Sequence, residues 1–249
     1  MQSLKQILAV ADSYKRKLPA APPPLPAPRG TEIAAWIDHT LLKPEATAAQ
    51  IKKLCEEARQ YHFATVCVNP VYVPLARSLL KDSGVGVCAV VAFPLGATLP
   101  EDKTHEAIRV IANGAGEVDM VLNLGALKSE SYGLMLNDIL FVTQEVHEHA
   151  VKIKVIIEAA MLTRHEKILA CLVALAAGAD FIETSTGFGT GGATVKDVDL
   201  IRRVVGPQTG VKAAGGIRTY KSALAMIAAG ANRIGTSAGV TIVNEAMGA

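Results

Sequence analysis

Eight short runs rich in Val and Ile begin near Ile33, Ala64, Val85, Glu117, Lys152, Asp180, Val211 and Arg233, at intervals of 31, 21, 32, 35, 28, 31 and 22 residues. These gaps are too long for hairpins, but each can hold a helix, and a strand-helix-strand connection makes neighbouring strands parallel. Helix-start signals fall where such helices should begin. Thr47-Ala-Ala-Gln50 and Thr163-Arg-His-Glu166 have the capping-box form, in which two orphan backbone donors are satisfied reciprocally. After Thr47, residues Ile51, Leu54, Cys55 and Ala58 share one helical face. The runs read as apolar nearly throughout, as expected of strands covered by helices. Eight units averaging about 27 residues suit a closed (β/α)8 barrel. A doubly wound open sheet would need a glycine-rich phosphate turn after its first strand, where Asp38-His39-Thr40 stands instead. The predicted class is therefore α/β, a (β/α)8 TIM barrel with an extra N-terminal helix. The predicted division is a helical segment over residues 1–17, a Pro-rich linker over 18–30 and the barrel over 31–249.

Composition narrows the partners. With 50% hydrophobic and 19% charged residues the chain is globular rather than disordered, and 25 Lys+Arg against 23 Asp+Glu leave only +2, too little to attract nucleic acid. Residues 85–97 and 168–179 are the longest apolar stretches, shorter than a membrane span, so no membrane partner is expected. The N-terminus has no export signal, and Cys55, Cys67, Cys88 and Cys171 form no CxxC pair, which predicts reduced core thiols and a cytoplasmic location. The proline run suits a stiff connection better than an SH3-type ligand.

Catalytic groups of such a barrel come from the C-terminal ends of strands and the loops that follow. Polar interruptions of the runs are therefore the candidates: Asp38 closing the first, Asp119 within Glu117-Val-Asp-Met-Val121, Glu183 after Asp180-Phe-Ile, and Lys212 within Val211-Lys-Ala-Ala214. A covered parallel sheet gives an ionisable side chain no solvated face, so each must be paired or functional. Glu183 and Lys212 lie on adjacent predicted strands and should pair. Glycine turns follow the last three strands at Thr186-Gly-Phe-Gly-Thr-Gly-Gly192, Gly215-Gly216 and Gly235-Thr-Ser-Ala-Gly239. Backbone N–H groups in such turns, beside a helix N-terminus, point to a phosphate site. Cys67 reads as an inert buried thiol rather than a reactive one, and His39, His62 and His105 lack metal-ligand spacing.

Six segments, Ile37-Asp-His-Thr-Leu-Leu-Lys-Pro44, Val66-Cys-Val-Asn-Pro70, Phe93-Pro-Leu-Gly96, Glu117-Val-Asp-Met-Val121, Thr184-Ser-Thr-Gly-Phe188 and Lys212-Ala-Ala-Gly-Gly-Ile-Arg218, resemble in order the signature runs of the deoxyribose-phosphate aldolase family. The resemblance covers residues 31–245. It implies a class I aldolase that reversibly cleaves 2-deoxy-D-ribose 5-phosphate to acetaldehyde and glyceraldehyde 3-phosphate through a lysine Schiff base, with no metal and no cofactor. It further implies Asp119 in proton relay and Lys212 as the second lysine that lowers the nucleophile's pKa. Asp38, Gly187, Gly215, Gly216, Ser237 and Ala238 would contact the phosphorylated sugar or aldehyde, and the chain would be a homo-oligomer, a dimer or tetramer.

One position departs from that pattern. The family's Schiff-base lysine precedes Thr-Ser-Thr-Gly, and here Glu183 stands there. A carboxylate cannot form an imine, and beside Lys212 it favours the ammonium form. The other signature residues are intact, which fits an engineered substitution, a trapping mutant or a natural paralogue. Three functions follow: an aldolase scaffold inactivated or repurposed at Glu183, a lysine-free sugar-phosphate isomerase or hydratase with Glu183 as general base, or a non-catalytic phosphate-ligand binder.

Overall fold

In the computed structural model, which describes residues 3–23 and 26–248, eight parallel strands pair in chain order and close on themselves, β8 with β1. They are β1 (Ile37–Leu41), β2 (Thr65–Val68), β3 (Gly86–Val91), β4 (Glu117–Val121), β5 (Lys152–Ile156), β6 (Phe181–Glu183), β7 (Gly210–Ala214) and β8 (Arg233–Thr236). The helices are α1 (Leu4–Arg16), α2 (Ala48–Tyr61), α3 (Val73–Leu79), α4 (Pro100–Ala112), α5 (Leu124–Lys128), α6 (Tyr132–Glu148), α7 (Arg164–Ala176), α8 (Val195–Val205), α9 (Tyr220–Ala228) and α10 (Gly239–Met247). The architecture is a (β/α)8 TIM barrel. The predicted N-terminal, linker and barrel segments each include residues outside those described, at 1–2, 24–25 and 249.

The capping boxes at Thr47 and Thr163 form as predicted and start α2 and α7, and the predicted face of α2 is buried. The first strand begins later than its apolar run. Gly30–Trp36 is a 3-10 helix, whose Glu32 carboxylate accepts from Arg29 N at 2.8 Å, and the strand starts at Ile37. Asp38 therefore lies at the second position of β1 rather than closing it.

The strands are not apolar throughout. Residues such as Val118, Met120, Ile153, Val155, Val211, Ala213 and Ile234 face the helices and join the main core, each of the side chains larger than alanine contributing about 1.5–3 kcal/mol by burial. The alternate residues point into the barrel, where Cys67, Cys88 and Val90 form a small separate apolar group. Other inward positions carry charge: Asp38, Glu117, Asp119, Lys154, Glu183, Lys212 and Arg233. This alternation places ionisable groups on the barrel axis.

Ser3 caps α1, whose buried Ile7 and Ala11 belong to the main core, and Arg164 Nη1 of α7 donates to Lys15 O at 3.0 Å. Arg203 Nη1 of α8 ties the extended segment by donating to Pro19 O at 3.1 Å. Among the described residues no helix is long and apolar enough to cross a membrane.

Candidate active site

Strand register explains the charged cluster. It sets Glu183 beside Lys212 across β6 and β7, and Asp119 beside Lys154 across β4 and β5. Lys212 Nζ then reaches across the barrel to Asp119 Oδ2 at 2.5 Å, Asp38 Oδ2 at 3.1 Å and Glu183 Oε1 at 3.2 Å. Lys154 Nζ meets Glu117 Oε2 at 2.5 Å and Asp119 Oδ1 at 2.8 Å. Below them, Arg233 joins Asp38 Oδ1 at 2.6 Å to Glu117 Oε1 at 3.3 Å and lies over the Phe181 ring. Gly235 makes room for this packing, since a Cβ there would sit 2.9 Å from Lys212 Cε.

Counting charges explains the proton distribution. Four carboxyls, Asp38, Glu117, Asp119 and Glu183, face three cations, Lys154, Lys212 and Arg233. Burial alone would raise Asp38, yet Lys212, Lys154 and Arg233 hold its carboxyl far below the ordinary range. Burial likewise opposes ionisation of Asp119, and Lys154 and Lys212 outweigh it. Burial would depress Lys212, but Asp119, Glu183 and Asp38 keep its ammonium well above its ordinary value. Glu183 is the carboxyl in surplus. Burial pushes it up to about 8, with Lys212 pulling it down only in part and Asp119 pushing it further up. At neutral pH it is a mostly protonated acid beside an ammonium, with Oε2 buried and lacking a hydrogen-bond partner.

Above the cluster a cavity of about 390 Å³ opens at the C-terminal ends of the strands. Asp119, Glu183 and Lys212 line its depth, and Gly187, Gly215, Gly216 and Ser237 line its mouth. The turns after β6 and β7 touch: Gly215, at φ +90°, would carry a Cβ only 3.0 Å from Gly192 Cα. Gly216, at φ +79°, faces open space. Two predicted contacts are placed differently. Asp38 is fully buried beneath Lys212 and does not line the cavity, because its strand position points it to the barrel floor. Ala238 also lies off the wall, its N–H donating to Thr236 Oγ1 at 2.9 Å.

Several contributors escaped sequence analysis. Lys154, Glu117 and Arg233 were hidden in runs read as apolar, although period-two alternation in Lys152-Ile-Lys-Val-Ile156 puts Lys154 on the same face as Ile156. Glu158, at φ +48° after β5, accepts from Thr186 N at 3.2 Å and from the Thr186 hydroxyl, which in turn accepts from Phe188 N at 3.0 Å. That chain of bonds holds the first glycine turn. Lys43 and Arg218 are exposed cations on the cavity rim, and Phe93 meets Phe188 edge-on there at 5.3 Å. The arrangement can bind an anion at its mouth through backbone N–H groups and exchange protons at its base among Glu183, Lys212 and Asp119. Beside Asp119, Cys67 and Cys88 supply two thiols as the nearest soft metal donors.

Residues 33–245 match the DeoC/LacD family aldolase. The deoxyribose-phosphate aldolase of Thermococcus gammatolerans is 59% identical over 222 residues, covering 88% of this chain and 99% of that protein. A candidate deoxyribose-phosphate aldolase from Coccidioides immitis superposes with a TM-score of 0.91 at 41% identity, covering 98% of each chain. The tetrameric deoxyribose phosphate aldolase of Aeropyrum pernix superposes with a TM-score of 0.82 at 32% identity, covering 98% of this chain and 97% of the other.

Proposed function

This chain belongs to the DeoC/LacD aldolase family, and on that premise we propose that it is a deoxyribose-phosphate aldolase scaffold whose covalent step is disabled at Glu183. The substrate class is a phosphorylated deoxysugar or its aldehyde fragments, with the phosphate at Gly187, Gly215, Gly216 and Ser237 and the carbonyl end toward Lys212 and Asp119. The carrying observation is Glu183 in register with Lys212, at the position where the resemblance implies the Schiff-base lysine. Lys212 does not replace it as nucleophile, because the carboxylates of Asp119 and Asp38 within 3.1 Å stabilise its ammonium.

A lysine at 183 would invert the balance to three acids against four bases. Repulsion from Lys212 would lower the new amine's pKa and leave a useful neutral fraction near pH 7, with Asp119 placed to carry the protons of imine formation and C–C cleavage. The test assays 2-deoxyribose 5-phosphate cleavage and borohydride trapping by the chain and by its Glu183→Lys form. The chain itself should give little or no cleavage and no adduct at 183, any residual adduct mapping to Lys212, whereas Glu183→Lys should give both. Failure of Glu183→Lys to form an adduct would sink the proposal.

The unpartnered Glu183 Oε2 and its elevated carboxyl pKa favour a second reading, a sugar-phosphate isomerase or hydratase with Glu183 as acid or base and Lys212 as electrophile. Efficient turnover by the unaltered chain without any lysine adduct, with a pH–rate profile that follows Glu183, would establish it. A flat profile with phosphate-ligand binding and no turnover would leave a non-catalytic binder. Similarity to the Aeropyrum pernix tetramer supports a dimer or tetramer for this chain as well.

A further inference from the structure

We propose that Cys67, Cys88 and Asp119 form a binding site for one thiophilic divalent cation, of the Zn2+ or Cd2+ class, inside the barrel. The two cysteines are 21 residues apart in sequence, and no ligand-spacing pattern joins them. Strand register nevertheless sets Cys67 directly opposite Cys88 across β2 and β3. Asp119 projects to the same point from β4, and the two sulfurs and a carboxylate oxygen all lie within 4.8 Å of one another. Among the described residues this is the only group of three or more His, Cys, Asp and Glu side chains so arranged.

The spacing suits tetrahedral coordination. Bonds of about 2.3 Å to sulfur and about 2.0 Å to oxygen put an S···O edge at about 3.5 Å, and Cys67 Sγ lies 3.6 Å from Asp119 Oδ2. The matching S···S edge is about 3.8 Å, within reach of small side-chain rotations. Cys67 and Asp119 both belong to the wall of the cavity, which gives an entry path from solvent and room for a fourth ligand such as water.

Charge does not oppose binding. Two S–H bonds break, two S–metal bonds form and two protons leave to solvent, so a dication held by two thiolates adds no net charge to the site. Lys154 Nζ lies 3.4 Å from Cys88 Sγ and favours the resulting thiolate, while it keeps Asp119 Oδ1 and Glu117. Lys212 would give up Asp119 Oδ2 to the ion but keep Asp38 and Glu183. Without metal, burial holds the Cys88 thiol well above its ordinary pKa, so Cys88 is a neutral thiol in the unmetallated site. Binding at these donors does not depend on the reaction proposed above.

The test is titration of the full, reduced chain with Cd2+, followed by sulfur-to-metal charge-transfer absorption and by proton release. One ion per chain should bind with release of two protons, and apparent affinity should rise about 100-fold per pH unit below the thiol pKa values. Cys67→Ser and Cys88→Ser should each abolish the absorption, whereas Cys55→Ser and Cys171→Ser, which alter buried thiols outside this group, should leave it unchanged. Asp119→Asn should weaken binding at least about tenfold with the absorption band retained. A crystal of the unaltered chain soaked in Cd2+ should show its anomalous peak between the two sulfurs, a readout independent of how the variants fold. No saturable absorption, a signal that survives both Cys67→Ser and Cys88→Ser, a peak elsewhere, or a Cys67–Cys88 disulfide in place of the thiols would each overturn the site.

Discussion

Replacing Glu183 by Gln should make the protein more stable at neutral and alkaline pH, although Glu183 is buried and touches Lys212. Its carboxyl is the fourth acid against three cations, and burial pushes it up to about 8 from an ordinary value near 4.5. Between those pH values the folded chain keeps a proton that the unfolded chain releases. Stability therefore falls as pH rises, by up to about 1.4 kcal/mol per pH unit from this group, and the loss accumulates to at most about 5 kcal/mol by pH 8. Glutamine keeps the shape and an oxygen for Lys212, yet has no proton to retain. At pH 8 the Gln variant should be more stable by about 3–5 kcal/mol, a rise in midpoint temperature of roughly 6–20 °C, and the advantage should vanish near pH 4.5. Urea unfolding of both proteins at pH 5, 6, 7 and 8, followed by circular dichroism, measures this directly, because contributions from other titrating groups cancel in the difference. A difference in unfolding free energy that stays constant between pH 5 and pH 8 would refute the charge count.

Lys212→Met should act in the opposite direction, destabilising by roughly 3–5 kcal/mol at pH 7, because Asp119 and Asp38 lose a buried cation that each contacts. Since both carboxyls are depressed in the folded state, the stabilisation they draw from Lys212 is present above the unfolded pKa of about 4 and lost as pH falls below it, so the deficit should shrink in acid; an unchanged urea midpoint at pH 7 would count against this contact. Gly216→Asp places a carboxylate in the open space at the cavity mouth, on a backbone at φ +79°, and should abolish binding of inorganic phosphate in a calorimetric titration; retained binding would move the anion site elsewhere.

The barrel was legible in the sequence because its signal is local and repeated. A strand's apolar run and the capping box that opens a helix each depend on neighbours in the chain, and the intervals between runs are too long for hairpins. The candidate chemistry was partly legible for the same reason: Asp119, Glu183 and Lys212 interrupt apolar runs, and the expected Glu183–Lys212 pairing follows from neighbouring strands whose register sets the two opposite. Asp38 was found but misplaced, since the boundary between the 3-10 helix and β1 determines which way its side chain points. Lys154, Glu117 and Arg233 were missed because their runs read as apolar nearly throughout, which hides the period-two alternation that turns every second residue into the barrel. Closure alone decides that Lys212 meets Asp119 from the opposite wall, that four acids share three cations, and that Glu183 holds the surplus proton. It also brings Cys67 and Cys88 to Asp119. Each of these joins residues far apart in the chain, and their energies depend on the removal of water, which no stretch of sequence achieves before the eight strands enclose a common interior.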